Sequence, residues 1–311
     1  MAKTIGRRSN TGVGLETTPG ITGAVKVWLP TLSNDLSERF TPIGDMSARG
    51  TRDEQSPESV AGKKWGEGSI EVILDAQVAP YLMFLGMGGY ASSSSGIYIH
   101  TFSRKAANNP QTATVYRDRD IDIVKFPYSV VNTFEINFAD DVAKLTAGLL
   151  SRFPIDEDAE TPSYADLDLF TWRQARVQVT TNAGATSDLK VREFTLNVNN
   201  NAEMVYAPNS NDVDAIAAKQ FGVDGTIVVD FENETQKDYF TGLTKVKLDV
   251  ELLSGTHKIT FMMPRVRFDE DSISTPNDDI AQETIRFVAE TDGTDALTIE
   301  VRNDTLEAYD T

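Results

Sequence analysis

Two histidines, His100 and His257, are the first side chains to consider for metal binding or acid–base catalysis. Each lies at or beside the start of a predicted strand. The chain contains no cysteine, and no local carboxylate motif accompanies either histidine, so a metal site or a catalytic pair would lack its other members. Their separation of 157 residues (257 − 100) instead indicates equivalent structural positions in two similar halves, with coincidence as the alternative.

The usual signatures of catalysis and nucleotide binding are missing as well. The sequence has no Gly-x-Ser-x-Gly elbow, Walker loop or dinucleotide fingerprint, and the glycine-rich residues 86–89 lack the strand-to-helix context of a phosphate loop. Carboxylates are numerous enough for a glycosidase-like pair, but no spacing singles out two of them. The acidic residues 154–171 lack the ligand spacing of a calcium loop and are typical of a solvated linker. We therefore predict no catalytic residue, no cofactor and no metal.

The composition indicates an acidic protein with one large domain or two ordinary ones. The 311 residues carry a formal net charge of −18, the sequence pI is about 4.5, and 40% of the residues are hydrophobic. Such a surface repels nucleic-acid phosphates and anionic membranes, which argues against a conventional DNA-binding protein. Residues 81–87, the most apolar short stretch, are far too few to span a membrane, and residues 9–14 are too polar for a signal peptide. We expect synthesis and folding in the cytoplasm.

One pattern occurs twice and organises the rest of the chain. Residues 68–75 (GSIEVILD) and 225–232 (GTIVVDFE) align at an offset of 157 residues (225 − 68), close to half of the chain length. A short helix follows each copy, over residues 80–86 and 233–242. In these helices Pro80 fits a first turn, Asn233 is an N-cap, and Gly86 and Gly242 are stops. A repeated strand and helix indicate a duplicated building block.

Alternating apolar residues predict strands throughout both halves, without the rhythm of a βαβ fold. The exceptions are a polar N-terminal arm (1–20), a long connection (31–65) and the acidic linker (154–171). The long connection is either a disordered insertion or a segment that anchors to a neighbouring chain. The predicted fold class is mainly β, with two tandem β-sandwich or partial-barrel domains over 21–153 and 172–304, each with one short flanking helix, and a C-terminal tail at 305–311.

The sequence resembles the major tail tube proteins of long-tailed (siphovirus-type) bacteriophages, in a duplicated two-domain form. The resemblance covers most of the chain as a pattern of strands, glycines and caps. The segments that carry it are residues 12–20 (GVGLETTPG), 28–30 (WLP), 65–75 (WGEGSIEVILD), 191–201, 221–230 (FGVDGTIVVD) and 297–303 (LTIEVRN).

The resemblance implies a structural subunit, not an enzyme, whose inner sheets join between neighbours around a channel for DNA. Three two-domain chains would imitate a hexameric ring, and rings would stack through the long loop and the N-terminal arm. The stacking candidates are Leu36, Phe40, Ile43, Met46, Arg49 and Arg52 in the loop, and Arg7, Arg8 and Leu15 in the arm. The channel candidates on polar strand faces are Thr133, Glu135, Asn137, Glu193, Thr195, Asn197, Asp249 and Glu251.

The implied partners are further copies of the chain, the tape measure inside the tube, the tail terminator and the distal tail ring, with DNA passing through without specific binding and with no membrane contact. The implied location is the virion tail, assembled in the host cytoplasm. Two alternatives remain at this stage. One is a related tail ring or baseplate component of the same fold. The other is a β-sandwich carbohydrate-binding or adhesion module, although Trp28, Trp65 and Trp172 are scattered along the sequence.

Overall fold

A computed structural model of the protein describes residues 5–44, 50, 53, 59–94, 97–139, 141–275, 277–278, 280–305 and 309–310. The first half contains β1 (Asn10–Leu15), β2 (Val27–Leu29), β3 (Thr31–Asn34), β4 (Ser37–Gly44), β5 (Ser59–Ile73), α1 (Ala79–Met87), β6 (Gly88–Ser94), β7 (Tyr98–Arg104), β8 (Ala113–Asp118), β9 (Ile123–Phe138), β10 (Lys144–Ser151) and β11 (Ile155–Asp156). The second half contains β12 (Ala175–Thr180), β13 (Thr186–Leu189), β14 (Val191–Asn199), β15 (Glu203–Tyr206), β16 (Val213–Ala217), β17 (Gly222–Asp230), α2 (Thr235–Thr241), β18 (Val246–Ser254), β19 (His257–Ser274), β20 (Gln282–Ala289) and β21 (Thr298–Asn303). Short 3₁₀ turns lie at Gly6–Arg8 and Trp172–Gln174.

Both halves of the chain contribute to one antiparallel sheet, called the main sheet below. Its order is β3/β4–β5–β10–β9–β14–β17–β20–β19, where β3 and β4 follow one another along the same edge of β5. The two longest strands enter the main sheet with their second parts, residues 130–138 of β9 and 266–274 of β19. The halves therefore meet where β9 pairs with β14.

The first parts of β9 and β19 continue into a second layer. Its order is β2–β1–β8–β9–β11 in the first half and β13–β12–β18–β19–β21 in the second. The β6–β7 hairpin of the first half extends the second-half order by pairing β7 with β21. Alternate residues of the main sheet and of these layers belong to one buried apolar cluster, as in a β-sandwich. The predicted fold class, mainly β with one short helix flanking each half, is confirmed.

The two halves follow the same pairing scheme. Eight strand positions of the first half have a counterpart in the second half. They correspond in order: β1 to β12, β2 to β13, β3/β4 to β14, β5 to β17, β8 to β18, β9 to β19, β10 to β20 and β11 to β21. Gly68 lies opposite Leu149 of β10, and Gly225 lies opposite Phe287 of β20, in agreement with the sequence offset. Register shifts also recur at matching places: at Leu32 and Arg192, at Asn132 and Asp269, and after Ala113 and Val246.

Helix α1 is buried along its whole length, with Pro80 in its first turn as predicted. The prediction that Gly86 ends this helix is wrong. Gly88, with a left-handed φ of 78°, is the C-cap, because a residue without a side chain adopts that conformation at little cost. Gly86 lies inside the helix, where the ideal position of a Cβ atom is 2.6 Å from the ring of Phe134.

Helix α2 is shorter and only partly buried. The Asn233 side chain accepts a hydrogen bond from the Thr235 N–H at 2.9 Å, but Glu234 is the N-cap residue, one position later than predicted. Gly242 is the C-cap, as expected from the sequence.

The long connection expected at residues 31–65 is largely strand in the described residues. It contains β3, β4 and the start of β5, and β4 forms a hairpin with β5. The sequence concealed these strands because an edge strand exposed on both faces has no apolar alternation. Leu36, a stacking candidate, is fully buried and belongs to the chain's own core.

The N-terminal arm expected at residues 1–20 is partly integrated into the second layer. Residues 10–15 form β1 between β2 and β8, so Leu15 packs against the core and is not part of a free arm. Arg7 and Arg8 are exposed, and Arg8 forms an ion pair with Asp120 at 2.8 Å. The glycines at 12 and 14 obscured this strand, since glycine is rare in strand interiors.

The two histidines do not occupy equivalent places. His100 lies in β7 and His257 begins β19, and these strands pair with opposite sides of β21. His100 contacts the Asn303 side chain at 3.1 Å, and burial lowers its pKa. His257 lies between the carboxylates of Asp168 and Asp304, at 2.9 Å and 3.1 Å. The separation of His100 and His257 therefore equals the repeat offset of 157 residues by coincidence.

Candidate assembly edges and channel face

Six of the eight channel candidates lie together on the polar face of the main sheet. They alternate with buried residues on the adjacent strands β9 and β14. Thr195 lies opposite Asn137 and accepts a hydrogen bond from its amide at 2.9 Å, while Asn197 lies opposite Glu135. Thr133 and Glu193 continue the same rows. The structure thus joins candidates from both halves into one continuous polar surface.

This face is acidic along its whole width. The pairing registers place on it the carboxylates of Asp35, Glu67, Glu71, Glu135, Glu193, Asp224, Asp230 and Glu270, which outnumber the basic side chains Arg39, Lys144, Arg192, Arg267 and Arg286 in the described part of the face. Lys144 lies 3.6 Å from Glu71, and Arg286 lies 3.8 Å from Glu270. The acids of β9 and β14 are left in excess.

The remaining two channel candidates lie elsewhere. Asp249 and Glu251 are on β18, in the second layer. Asp249 forms an ion pair with Lys247 at 2.6 Å, and Glu251 forms one with Lys258 at 3.3 Å. They do not share a face with the other six. Sequence reasoning grouped all eight because alternation reveals that a strand has a polar face but does not reveal to which sheet it belongs.

The contact between the halves is a completed strand pairing. From Phe194–Phe138 to Asn199–Thr133, six consecutive residues of β14 lie opposite β9. Beyond the last pair, the Asn200 side chain donates hydrogen bonds to the carbonyls of Gly86 and Val131, at 2.8 Å and 3.0 Å. We call this pairing the internal junction.

The two outer edges of the main sheet lack such a partner. At one end, β3 and β4 pair only with β5 among the described residues. At the other end, residues 267–274 of β19 pair with β20 and with no other strand in the described part of the chain. Open strand edges tend to pair with further strands, and proteins usually cover or charge them. Sequence reasoning did not identify these edges, because it could not order the strands.

The β19 edge contains an unusual carboxyl pair, Asp271 and Glu283. Glu283 is 1% exposed, and neither its Oε1 atom nor Asp271 Oδ1 has a hydrogen-bond partner in the described chain. Burial and the adjacent Asp271 carboxyl, with which Glu283 shares a hydrogen bond, raise the pKa of Glu283 to about 7. Lys237 lies near enough for its charge to oppose the raised pKa of Asp271, but among the described residues neither carboxyl forms an ion pair, so the pair has room for a closer cation. In the first half, Leu145 holds the place of Glu283.

The β3/β4 edge contains the opposite charge, Arg117 of β8. Its side chain is 1% exposed, and burial lowers its pKa. The guanidinium donates to the Leu36 carbonyl and to Asp122 and lies 3.7 Å from Glu38, while its Nε atom has no partner in the described chain. The Leu36 N–H is bonded to the Asn34 side chain at 3.0 Å. Side chains of the same protein therefore cap this edge.

A family model described as "Phage tail tube protein" matches residues 6–300, almost the whole chain. The chain belongs to the phage tail tube protein family. This family is structural, so its members are components of the virion tail that self-assemble and contact other tail proteins. No curated protein matches the chain.

In this tail tube protein, the β4–β5 hairpin extends beyond the main sheet. Of the stacking candidates, Phe40 and Ile43 are 51% and 58% exposed there, and Met46, Arg49 and Arg52 lie outside the described residues. Lys64 forms an ion pair with Asp212 at 3.1 Å, which ties the hairpin to the β15–β16 hairpin.

Other sites are not evident in the described parts of this tail tube protein. No group of three or more potential ligands could hold a metal ion in the described ranges. Neither α1 nor α2, nor any other described helix, has the length and apolar character to cross a membrane. The three tryptophans are scattered: Trp28 is buried and Trp172 is 45% exposed.

Proposed function

We propose that this chain is the subunit of a phage tail tube, in which three copies close into a ring of six similar blocks and the rings stack around a channel that conducts DNA. The observation that carries the proposal is the main sheet. It joins two similar four-strand units through the internal junction and leaves an unpaired edge at each end. Repeating the internal junction between copies would extend the sheet, and ring closure would remove its edges altogether.

The acidic polar face suits the lining of a channel for DNA. A ring of three chains would carry three times the formal charge of −18. Each lysine–phosphate contact holds DNA in a salt-dependent manner, whereas carboxylates and amides leave the backbone hydrated and free to move. In this role Thr133, Glu135, Asn137, Glu193 and the residues beside them line the lumen.

The exposed β4–β5 hairpin and the N-terminal residues are the proposed contacts between stacked rings. Further partners would be a tape measure protein inside the tube, a tail terminator and a distal tail ring, with assembly in the host cytoplasm. Within each chain, residues 21–153 and 172–304 would act as the two ring blocks, with 154–171 as their linker.

Ring formation can be tested on the purified protein. Static light scattering behind a sizing column should show a species of three chains, and negative-stain microscopy of concentrated protein should show rings with a central hole that stack into tubes. Protein that stays monomeric over the whole accessible range of concentration and salt would contradict the proposal. Copy number per virion would separate a tube subunit from a tube-end component, because a tube subunit dominates the tail.

Stacking has its own test. Deleting residues 33–62 would remove the buried Leu36, so a smaller change is preferable. Phe40 and Lys64 lie opposite each other, and replacing residues 41–63 with Asn-Gly would close a tight turn between them. We expect this variant to form rings but not tubes. Tubes of normal length would show that the hairpin does not mediate stacking, and the ring readout controls for folding.

A further inference from the structure

The internal junction is a template for the contact between copies, an inference that rests on the proposed function. β3/β4 occupies the place of β14, with matching register shifts at Leu32 and Arg192. The second part of β19 occupies the place of β9, with matching shifts at Asp269 and Asn132. Because these shifts fix the alignment residue by residue, the register of the internal junction can be transferred to the outer edges.

The transfer gives five opposite pairs that involve β19 of the neighbouring copy. They are Asp35 with Ser274, Leu36 with Ile273, Ser37 with Ser272, Glu38 with Asp271, and Arg39 with Glu270.

The chemistry of these pairs supports the register. Leu36 and Ile273 correspond to Leu196 and Ile136, an apolar pair of the same residue types in the internal junction. Ile273 is 38% exposed in the single chain, which a neighbour would cover. On the polar face, the transferred register places Arg39 opposite the acidic residue Glu270. A single mismatch remains, the two acids Glu38 and Asp271.

The buried cation Arg117 accounts for the mismatch between the two acids Glu38 and Asp271. In the internal junction their places are taken by Val198 and Phe134. The register of β8 against β9 and of β18 against β19 makes Arg117 the counterpart of the buried Val250. Val198 and Phe134 of the internal junction and Val250 of the layer beneath it are therefore replaced at the outer edges by two acids and a buried cation.

We propose that Arg117 of one copy pairs with Asp271 and Glu283 of the neighbouring copy, and that this buried ion pair fixes the register of the strand pairing that closes the ring. Each side supplies what the other lacks: Arg117 Nε has no partner in the described chain, and neither has Asp271 Oδ1 or Glu283 Oε1. In the free chain the guanidinium caps the Leu36 carbonyl. Strand pairing replaces that contact with a backbone N–H and releases the guanidinium to the carboxyls.

The register can be tested by disulfide cross-linking, since the native chain contains no cysteine. The Asn200 N–H donates to the Asn132 carbonyl at 2.8 Å, which makes alternate pairs of the junction hydrogen-bonded. By this alternation Ser37 and Ser272 form a non-hydrogen-bonded pair, whose Cα atoms lie about 4.5 Å apart, within disulfide range. The variant Ser37→Cys/Ser272→Cys should give covalent multimers on non-reducing gels.

The matched control is Ser37→Cys/Ser274→Cys, which keeps the same face but is two residues out of register. We expect a cross-link yield about tenfold lower, because the Cα atoms would exceed disulfide distance. Equal or greater yield from the control would overturn the register. Rings in the microscope without cross-links from either variant would overturn it too but leave the proposed function intact. Absence of both rings and cross-links would overturn both.

The ion pair is tested by Arg117→Met, which keeps the length of the side chain and removes its charge. We expect a normal thermal unfolding transition but a rise of about a hundredfold in the protein concentration needed for rings, since buried carboxyls would remain unpaired. Arg119→Met is the matched control, because Arg119 also reaches the Leu36 carbonyl, at 3.4 Å, but has no place in the proposed pair. Ring formation by Arg117→Met at the wild-type concentration would overturn the ion pair.

Discussion

The buried Glu283 gives the free chain an unusual dependence of stability on pH. Its pKa rises from an ordinary value of 4.5 to about 7 because of burial and the adjacent Asp271. The folded chain then retains a proton that the unfolded chain releases between these two pH values. The contribution of Glu283 to the free energy of unfolding should be fully present below about pH 4.5 and should be lost as the pH rises through 7, by about 3 kcal/mol at most for a shift of this size. Asp271, whose pKa is also raised, acts in the same direction.

Urea denaturation of dilute protein at several pH values, followed by tryptophan fluorescence, measures this effect. Glu283→Gln removes the titrating group and keeps the shape of the side chain. The difference in unfolding free energy between this variant and the wild type should be small at pH 4.5 and should grow to about 3 kcal/mol in favour of the variant by pH 8. A difference that does not change with pH would refute the assignment of the raised pKa to this group.

Ring assembly should depend on pH in the opposite sense. When Arg117 of a neighbour pairs with these carboxyls, their ionised forms are stabilised, so assembly should strengthen from pH 5 to pH 8. Ring formation that weakens over this range would contradict the pairing.

Two further substitutions test the packing of the main sheet, and a third tests the attachment of the β15–β16 hairpin. Asn200→Ala removes two hydrogen bonds at the internal junction and leaves buried carbonyls without donors, so we expect a loss of about 2 kcal/mol in unfolding free energy by urea titration. Gly225→Ala would place a Cβ against the Thr195 carbonyl oxygen, and differential scanning calorimetry should show a destabilisation of about 2 kcal/mol. Arg152→Ala removes hydrogen bonds to the carbonyls of Val213 and Asp214, at 2.8 Å and 2.9 Å, so amide exchange in the β15–β16 hairpin should become about tenfold faster while the main sheet stays protected.

Local patterns predicted most of the strands and both helices of this chain. Residues 132–138 and 245–253 alternate because one face of each strand is buried, and in the structure residues 132–138 and 246–253 are strand. The offset between Gly68 and Gly225 was also detectable, because these glycines occupy matching places opposite β10 and β20. The strand alternation is a local signal, and the repeat is found by comparing one half of the sequence with the other.

Other features depended on information that no local pattern contains. β4 was interpreted as loop because an exposed edge strand buries neither face, and β1 because glycines replace the expected apolar residues. Arg117, Asp271 and Glu283 were not singled out, since a charged residue in a strand looks the same whether it faces solvent or the core. Recognising them required the order of strands in the main sheet, which decides which edges are open.

The contrast between the internal junction and the outer edges follows from when each is formed. The internal junction joins two parts of the same chain and forms as that chain folds, so apolar pairs such as Leu196–Ile136 can stabilise it without exposing an apolar edge in the folded protein. The outer edges must remain soluble until assembly, and an exposed apolar edge would pair indiscriminately with other strands. Charged groups reduce that risk, and because a cation at one edge and two acids at the other are satisfied only in one register, they also discriminate against misaligned pairing. We therefore expect the variant Arg117→Val/Glu38→Val/Asp271→Phe/Glu283→Leu, which gives the outer edges the residue types found at the internal junction, to form rings together with irregular aggregates. Clean, well-formed rings from this variant would show that the charges are not needed for correct pairing.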